Sequence, residues 1–372
     1  MKKNLVTLLG LSLTFTVLFT GCGSKPEEKV EQELPVIQTT DAAIETEQEE
    51  AKEPEVYSGP RSILTGEPIS NKLSKVRPIA LMVENTSACL PHYGINKAGV
   101  IYECPVEGGI TRLMAIFEDY KGMDRIGNVR SCRPYYPKIA KEYGAVYMCF
   151  GQSTEGKALL QSGFIDYVNG IEGASYNASY YRSSDRRAPH NAYTSSKGIE
   201  AGLKLKNYKS KRSKKYEQHF KFTTEDKPVT FEGKKDCEVV TLYYPDNDPY
   251  FVYNKKTGLY QRFEHGGKET DALDNKQIKV KNIILQNVPC TNYSGTYKLN
   301  LTLNGSGEGK YITNGKVVSI TWEKKSDNDI TKYYDKKGNE LVLNPGKTWV
   351  SLIEENRASG NQFYKNRKDF NR

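Results

Sequence analysis

Mostly apolar segments recur along the first half of the chain, and polar, proline or glycine residues bound each of them. Short apolar runs of this kind are typical of strands buried on both faces of a sheet. The runs lie at 78–84, 99–103, 112–117 and 145–150. Helical patterns lie at 134–143, 154–162 and 195–206. Strands mixed with helices predict an α/β domain over 61–206, with a mixed sheet and helices on its faces.

In the second half the pattern changes to alternation of polar and apolar positions, and no helical period is visible. Residues 297–303 alternate in this way, as a strand with one wet face does. Asn304-Gly305 and Asn314-Gly315 are hairpin turn signals. The pattern predicts an antiparallel all-β domain over 217–355, followed by a polar tail over 356–372.

A short basic stretch, 207–216, lies between the two predicted domains, and we interpret it as an inter-domain segment. Together with the end of the preceding helix it carries seven basic residues and no acidic residue between Lys204 and Lys215. Such a charge run either faces water or contacts an anionic surface, and both interpretations remain open.

The first residues have the pattern of a secretory signal. Lys2 and Lys3 precede an apolar run from Leu5 to Phe19, which is too short to span a membrane comfortably. Small residues then precede Cys22, as in a bacterial lipobox, although Phe19 stands where leucine is usual. The pattern predicts a lipoprotein signal peptide over 1–21 and a palmitate-bearing diacyl anchor on Cys22, at the extracytoplasmic face of the cell membrane. An ordinary secretory signal with a chance cysteine is the alternative.

Charge is distributed unevenly along the chain. The 372 residues carry a net charge of +9, but residues 23–56 hold 11 acidic and 3 basic residues. This composition, with four prolines and no regular period, predicts an acidic disordered tether over 22–60. The remaining body is strongly basic, which favours an anionic partner. Outside the cell that partner is the membrane or the wall rather than nucleic acid.

Cysteine and histidine spacing gives no sign of a metal site or a cofactor. His92 is predicted in a turn, and His219 and His265 have no second ligand at a useful spacing. Six cysteines follow the lipobox without a C-x-x-C motif, and we expect most of them to pack as small apolar residues. They are Cys89, Cys104, Cys132, Cys149, Cys237 and Cys290.

Several strings resemble those of the YerB-like lipoproteins of Gram-positive bacteria, a family of unknown function with paired N- and C-terminal domains. The strings are Glu107–Arg112, Ile126–Arg133, Asp185–Thr194, Gly307–Gly309 and Gly346–Trp349. The resemblance covers about residues 60–355 and includes the layout of lipobox and tether. Asn128 and Cys132 depart from the expected pattern. The resemblance implies secretion, lipid anchoring and two domains, but it implies no reaction.

Charged and amide side chains cluster where the predicted strands of the first domain end. Ligands of open α/β sheets bind at the carboxyl ends of strands, so these side chains are expected to converge on one cleft. In that cleft Arg112, Arg130 and Arg133 would act as bidentate donors to an anion. The candidate ligand-binding residues are Glu84, Glu103, Glu107, Arg112, Arg130, Ser131, Arg133, Asp185, Arg186, His190 and Asn191. Structural ion pairs that order loops are the alternative.

The sequence also leaves two functional classes open. The first is a non-catalytic binding or scaffold protein for an anionic wall polymer, a peptidoglycan fragment or an envelope protein involved in wall synthesis. The second is an envelope hydrolase acting on an ester, amide or glycosidic bond. Ser153, Asp185 and His190 follow the order of an α/β-hydrolase triad, but the local motif is GxSxxG rather than GxSxG, and Ser153 also suits a helix cap. Glu103 and Glu107 are the carboxylates considered for acid and base roles.

Overall fold

A computed structural model describes residues 57–371. The predicted signal peptide, Cys22 and nearly all of the predicted tether lie outside the described residues. Residues 57–371 belong to one compact unit. Within the described range, no helix has the length and apolar character needed to cross a membrane.

The described chain is built mainly of strands, with four α-helices in its first half. The α-helices are α1 Tyr135–Glu142, α2 Thr154–Gln161, α3 Gly173–Ser179 and α4 Ser196–Leu205. Short 3₁₀ helices span Leu73–Lys75, Ser87–Cys89, Ile95–Lys97, Glu107–Gly109, Glu355–Gly360 and Arg367–Asp369.

The strands of the first half are β1 Ile79–Glu84, β2 Val100–Pro105, β3 Thr111–Phe117, β4 Ile126–Gly127, β5 Val146–Cys149, β6 Tyr167–Asn169, β7 Tyr181–Arg182 and β8 Ala192–Thr194. Those that follow are β9 Lys221–Phe222, β10 Lys235–Asp236, β11 Val239–Thr241, β12 Tyr250–Asn254, β13 Leu259–Glu264, β14 Gly267–Lys268, β15 Thr270–Asp271, β16 Lys276–Gln277 and β17 Lys279–Val280. The last are β18 Asn282–Val288, β19 Cys290–Asn292, β20 Leu299–Leu301, β21 Gly305–Thr313, β22 Lys316–Lys324, β23 Lys332–Tyr334, β24 Val342–Leu343, β25 Thr348–Glu354 and β26 Gln362–Tyr364.

One large mixed sheet contains strands from both halves of the chain. Its order is β10-β22-β21-β18-β25-β2-β3-β1-β5-β6, and β23 pairs with β22. Parallel pairing joins β1 to β5, β5 to β6, β2 to β25 and β25 to β18. Since β1 and β2 are both antiparallel to β3, all six of these strands point the same way. Their carboxyl ends, and the start of β3, therefore lie at one edge of the sheet.

Both faces of this sheet are covered, as the apolar runs predict. In β1, Ala80 and Met82 contribute to one hydrophobic cluster, which also contains the tyrosines of α1. The alternate residues Ile79, Leu81 and Val83 contribute to the other cluster, with α4 and the smaller β11–β13 sheet. This period of two is what a strand between two layers requires.

Local predictions agree with the structure better in some places than in others. Strands β1, β2, β3 and β5 lie where the apolar runs predict them, and Asn314-Gly315 closes the β21–β22 hairpin. The prediction of a hairpin at Asn304-Gly305 is wrong, because β20 pairs with β19 while β21 pairs with β22 and β18. The second half is also not wholly antiparallel, since β25 is inserted between two strands that run parallel to it.

Candidate functional site

Three arginines and two glutamates form a group at the carboxyl edge of the large sheet, and we call this group the arginine cluster. Its members are Glu84, Glu107, Arg112, Arg130 and Arg133. Glu84 ends β1 and is paired in register with Arg112 of β3. The segment that carries Arg130 is hydrogen-bonded to Met82 of β1 and to Phe150 after β5. Strand ends therefore bring these side chains together, as the sequence predicts.

Arg112 is the most deeply buried arginine of the arginine cluster. It is 6% exposed, and its Nη1 donates a hydrogen bond to the carbonyl oxygen of Ser131 at 2.8 Å. Within the described range it forms no ion pair with a carboxylate. Burial, together with the nearby positive charges of Arg133 and Arg130, lowers the pKa of Arg112 to about 10. Arg112 thus shares the charge of Glu107 with Arg133 and has no ion-pair partner of its own among the described residues.

Arg133 is held by a bidentate ion pair with Glu107. Nε of Arg133 lies 2.8 Å from Oε1 of Glu107, and Nη2 lies 2.7 Å from Oε2. Burial alone would raise the pKa of Glu107, but the hydrogen bonds and charge of Arg133 outweigh burial and lower it. Glu107 is therefore an ionised partner committed to Arg133.

Glu84 is shared between Arg130 and His190. Its Oε1 lies 2.8 Å from Nδ1 of His190 and 3.4 Å from Nε of Arg130. Arg130 also donates to the carbonyl oxygen of Pro189 at 3.3 Å. Arg112, Arg130 and Arg133 thus face two carboxylates, one of which is shared with a histidine. The cluster has more positive than negative charge.

The other predicted site residues of the 185–191 loop make contacts that hold the loop itself. Arg186 donates to Oδ1 of Asn128 at 2.7 Å. Asp185 pairs with Arg125 at 2.7 Å, and Asn191 donates to the carbonyl oxygen of Ser183 at 2.9 Å. Two residues of this loop contact the arginine cluster: His190 pairs with Glu84, and Pro189 accepts a hydrogen bond from Arg130.

The predicted triad residues have separate partners. Oγ of Ser153 accepts the backbone N–H of Gly156 at 3.1 Å and caps α2. His190 pairs with Glu84 and Asp185 with Arg125, and no hydrogen bond between described residues joins the three. Ser131 donates to the carbonyl oxygen of Phe150 at 3.3 Å. These contacts are those of structural residues rather than of an activated nucleophile.

Glu103 belongs to a different group, which we call the buried network. It lies within β2 with 0% exposure and pairs with Nη2 of Arg262 at 3.0 Å. Asn247 donates to Glu103 at 2.9 Å, and the indole N–H of Trp349 donates at 3.2 Å. Further members of the network are Asn85, His92, Thr111, Glu264 and Glu269.

Arg262 lies at the centre of the buried network. It pairs with Glu103, Glu264 and Glu269, and its guanidinium stacks 4.0 Å from the ring centre of Trp349. Burial alone would lower the pKa of Arg262, but the three carboxylates raise it. Burial and the charge of Glu269 raise the pKa of Glu264 to about 8. The network thus contains more carboxylates than arginine charges.

Sequence reasoning missed Arg262, Glu264 and Glu269, because the apolar Leu259 and Phe263 lie on the opposite face of β13 and the sequence gives no sign that these charges face inward. β13 alternates half-buried and buried residues, and its buried positions are Tyr260, Arg262 and Glu264. Charged residues on the inward face of an alternating strand indicate a buried polar network. The interpretation of His92 as a simple turn residue is also incomplete, because its ring is fully buried and lies 3.1 Å from Glu269.

The predicted basic segment lines a cleft of about 730 Å³, which we call the basic groove. Arg212 is fixed there by a 2.6 Å hydrogen bond to the carbonyl oxygen of Ser74. The basic residues that line the groove are Arg77, Lys141, Lys209, Lys211, Arg212, Lys214 and Lys215. Glu142, Glu217 and Asp329 also line it. The segment is therefore part of a predominantly positive surface.

Comparisons of the sequence and of the structure with known proteins point to the same family. Residues 64–209 match the family described as "Protein of unknown function (DUF3048) N-terminal domain", and residues 240–350 match its C-terminal domain. "Putative lipoprotein YerB" of Bacillus subtilis (strain 168) is 29% identical over 297 residues, which is 78% of this chain and 86% of that protein. A crystal structure of YerB protein from Bacillus subtilis superimposes with a TM-score of 0.71 at 26% identity, covering 82% of this chain and 100% of the other.

Proposed function

The chain belongs to the YerB-like family, whose paired N- and C-terminal domains have no known function, and from this premise we propose a binding role in the cell envelope. In this proposal the protein is lipid-anchored at Cys22, and it binds an anionic wall component without catalysing a reaction on it. The lipoprotein name of its relative and the lipobox pattern of its first residues support the anchor. The acidic segment 22–60 would hold the folded part away from the membrane.

The arginine cluster carries the proposal, and Arg112 is its central observation. Arg112 is buried beside Arg130 and Arg133, with no carboxylate of its own among the described residues. Grouping buried positive charges without matching negative charges costs free energy. An anionic ligand group would remove that cost, and planar guanidinium groups bind carboxylates in bidentate geometry.

The neighbours of the arginines suggest what kind of anion fits. His190 is 30% exposed and can accept or donate a hydrogen bond beside the anion site, whereas Glu84 is 2% exposed in its side chain and holds His190 and Arg130. A ligand that carries carboxylates together with amide, hydroxyl or ammonium groups would use both kinds of contact. Peptidoglycan fragments combine these groups, so we propose a muropeptide as the ligand.

Binding of fluorescent muropeptides to the full chain in detergent micelles tests this proposal. Arg130→Ala removes a half-buried guanidinium from the arginine cluster, and we expect binding to weaken about tenfold or more. Arg357→Ala is the matched control, because Arg357 pairs only locally with Glu354. Equal binding by wild type and Arg130→Ala, or no binding by wild type, would refute the proposal.

A further inference from the structure

Two segments that are distant in sequence bring three ligand-type side chains together inside the protein. His92 follows the 3₁₀ helix Ser87–Cys89, Glu264 ends β13 and Glu269 follows β14. Each residue offers one ligand atom, and the three atoms lie within 4.8 Å of one another. All three residues are buried. This group is separate from the arginine cluster.

The orientation of the His92 ring favours a metal ligand. Its Nε2 lies 2.7 Å from the carbonyl oxygen of Glu84. A carbonyl oxygen only accepts, so Nε2 carries a hydrogen and donates it. Nδ1 then lies 3.1 Å from Oε1 of Glu269, and a metal ion there would take the place of the Nδ1 proton. Histidines that bind metals commonly donate their other N–H to a backbone carbonyl in this way.

Each of the two carboxylates directs one oxygen toward Arg262, and its second oxygen does not pair with Arg262. Oε2 of Glu264 and Oε2 of Glu269 pair with Arg262. Oε1 of Glu264 and Oε1 of Glu269 are buried and receive no hydrogen bond from the described residues. Two ligand atoms around a tetrahedral zinc ion are about 3.3 Å apart, which is close to the separation of Nδ1 of His92 and Oε1 of Glu269.

The charged groups of the buried network also favour a bound metal ion. Glu103, Glu264 and Glu269 surround Arg262, so three carboxyl groups share one guanidinium. A divalent cation would take the place of the protons that otherwise neutralise the surplus carboxyl groups. Arg262 would then hold the carboxylates in place, as the hydrogen-bonded surroundings of metal ligands do.

We propose that His92, Glu264 and Glu269 bind a divalent first-row transition metal ion. Two carboxylates and one imidazole form a donor set that suits zinc. The ion would join the loop after β1 to the β13–β14 hairpin, which belong to different halves of the chain. Since all three ligands are buried, its role is structural.

Zinc binding to the full chain after dialysis against a chelator tests the proposal. We expect one equivalent of zinc per chain by mass spectrometric metal analysis, and a higher Tm in its presence. His92→Gln and Glu264→Gln should each weaken zinc binding at least tenfold. His265→Gln is the matched control: it changes the neighbour of Glu264 at a half-buried position and should keep the full equivalent.

A second measurement uses the wild-type chain, so it tests the site even if the variants fail to fold. Anomalous scattering from zinc in crystals of the wild-type chain should give a peak among His92, Glu264 and Glu269. Substoichiometric zinc in the wild-type chain, a peak elsewhere, or a folded His92→Gln variant with undiminished affinity would overturn the proposal. In the first case protons on His92 and Glu264 balance the charge instead.

Discussion

Nη2 of Arg262 lies 3.0 Å from Oε2 of Glu103, and both side chains are fully buried. The two residues are 159 positions apart and lie on β13 and β2, in the two halves matched by separate family domains. The two halves are thus connected in two ways, by the shared sheet and by this buried charge network. Loss of the sheet pairing or of the charge network should therefore lower the stability of both halves together.

Replacement of Arg262 by methionine should destabilise the protein strongly. The variant keeps most of the side-chain volume but leaves Glu103, Glu264 and Glu269 buried without their arginine. Removal of one partner from a buried ion pair typically costs about 3–5 kcal/mol of unfolding free energy. Urea unfolding followed by tryptophan fluorescence measures this loss, since Trp349 contacts Arg262.

Arg357→Met is the matched control for Arg262→Met. Arg357 pairs with Glu354 at 3.2 Å near the surface, and such pairs contribute less than about 1 kcal/mol. Similar losses in the two variants would show that the buried network is not a major source of stability.

A second buried ion pair, between Glu142 and Lys324, should show strong coupling. Nζ of Lys324 lies 2.8 Å from Oε1 of Glu142, and the backbone N–H of Thr331 donates to Oε2 at 2.8 Å. Lys324→Met leaves the carboxylate of Glu142 unpaired and should cost about 3–5 kcal/mol. Adding Glu142→Gln removes that charge but keeps an acceptor for Thr331.

The double variant should therefore be more stable than additivity of the two single variants implies, by at least about 1 kcal/mol. A double-mutant cycle on urea-unfolding free energies measures the coupling. Additive losses would contradict a direct charge interaction between Glu142 and Lys324.

Local sequence patterns were sufficient to predict individual elements of this fold. The run 78–84 predicts β1 because burial on both faces requires apolar side chains at successive positions. Asn314-Gly315 predicts the β21–β22 turn because both residues adopt positive φ. These signals depend on residues that are neighbours in the chain.

The order of strands in the sheet could not be predicted in the same way. β2 pairs with β25, with Val100 opposite Thr348, and no local signal in either strand specifies its partner. All residues of β2 are buried, and such a strand can lie beside any other buried strand. The sharing of one sheet by strands of both halves therefore became visible only in three dimensions.

The sequence could predict which side chains lie close together at the sheet edge, but not the grouping of the buried network. Arg112 and Glu84 converge because strand ends meet at a sheet edge, a rule that the sequence can use. The group of His92 and Glu269 depends on long-range packing between a loop and a hairpin. A search for ligands at short spacing cannot detect such a group.

His219 should make the protein less stable in mild acid. Its ring is fully buried, and burial together with the charge of Lys324 lowers its pKa to about 3. Since the pKa in the unfolded chain is about 6.5, the unfolded state binds a proton that the folded state excludes between these values. The free energy of unfolding should thus decrease as the pH falls below about 6.5. This residue should contribute about 1.4 kcal/mol per pH unit to that decrease.

His219→Gln removes the titrating group, so between pH 6.5 and pH 5 the variant should lose about 2 kcal/mol less than wild type. Urea unfolding at the two pH values measures the difference. His265→Gln, at a half-buried position, should follow the wild-type curve. Parallel curves for wild type and His219→Gln would show that buried His219 does not resist protonation.

The first half of the chain should not fold alone, because β2, one of the two outermost of its own strands in the large sheet, also pairs with β25 of the second half. A fragment of residues 57–216 retains β1, β2, β3 and β5 but lacks β25, which covers the edge of β2. The fragment would also expose the face that packs on β11–β13. Exposed strand edges and apolar faces promote aggregation rather than cooperative folding.

Urea unfolding of the fragment should therefore show no sharp transition, and the fragment should bind a hydrophobic dye. Co-expression with residues 217–372 as a separate chain is the matched control, and it should restore a cooperative complex because β25 can then pair with β2. A fragment that unfolds cooperatively by itself would instead establish the first half as an independent folding unit. In that case the β2–β25 pairing would be an interface between two domains rather than part of one folding core.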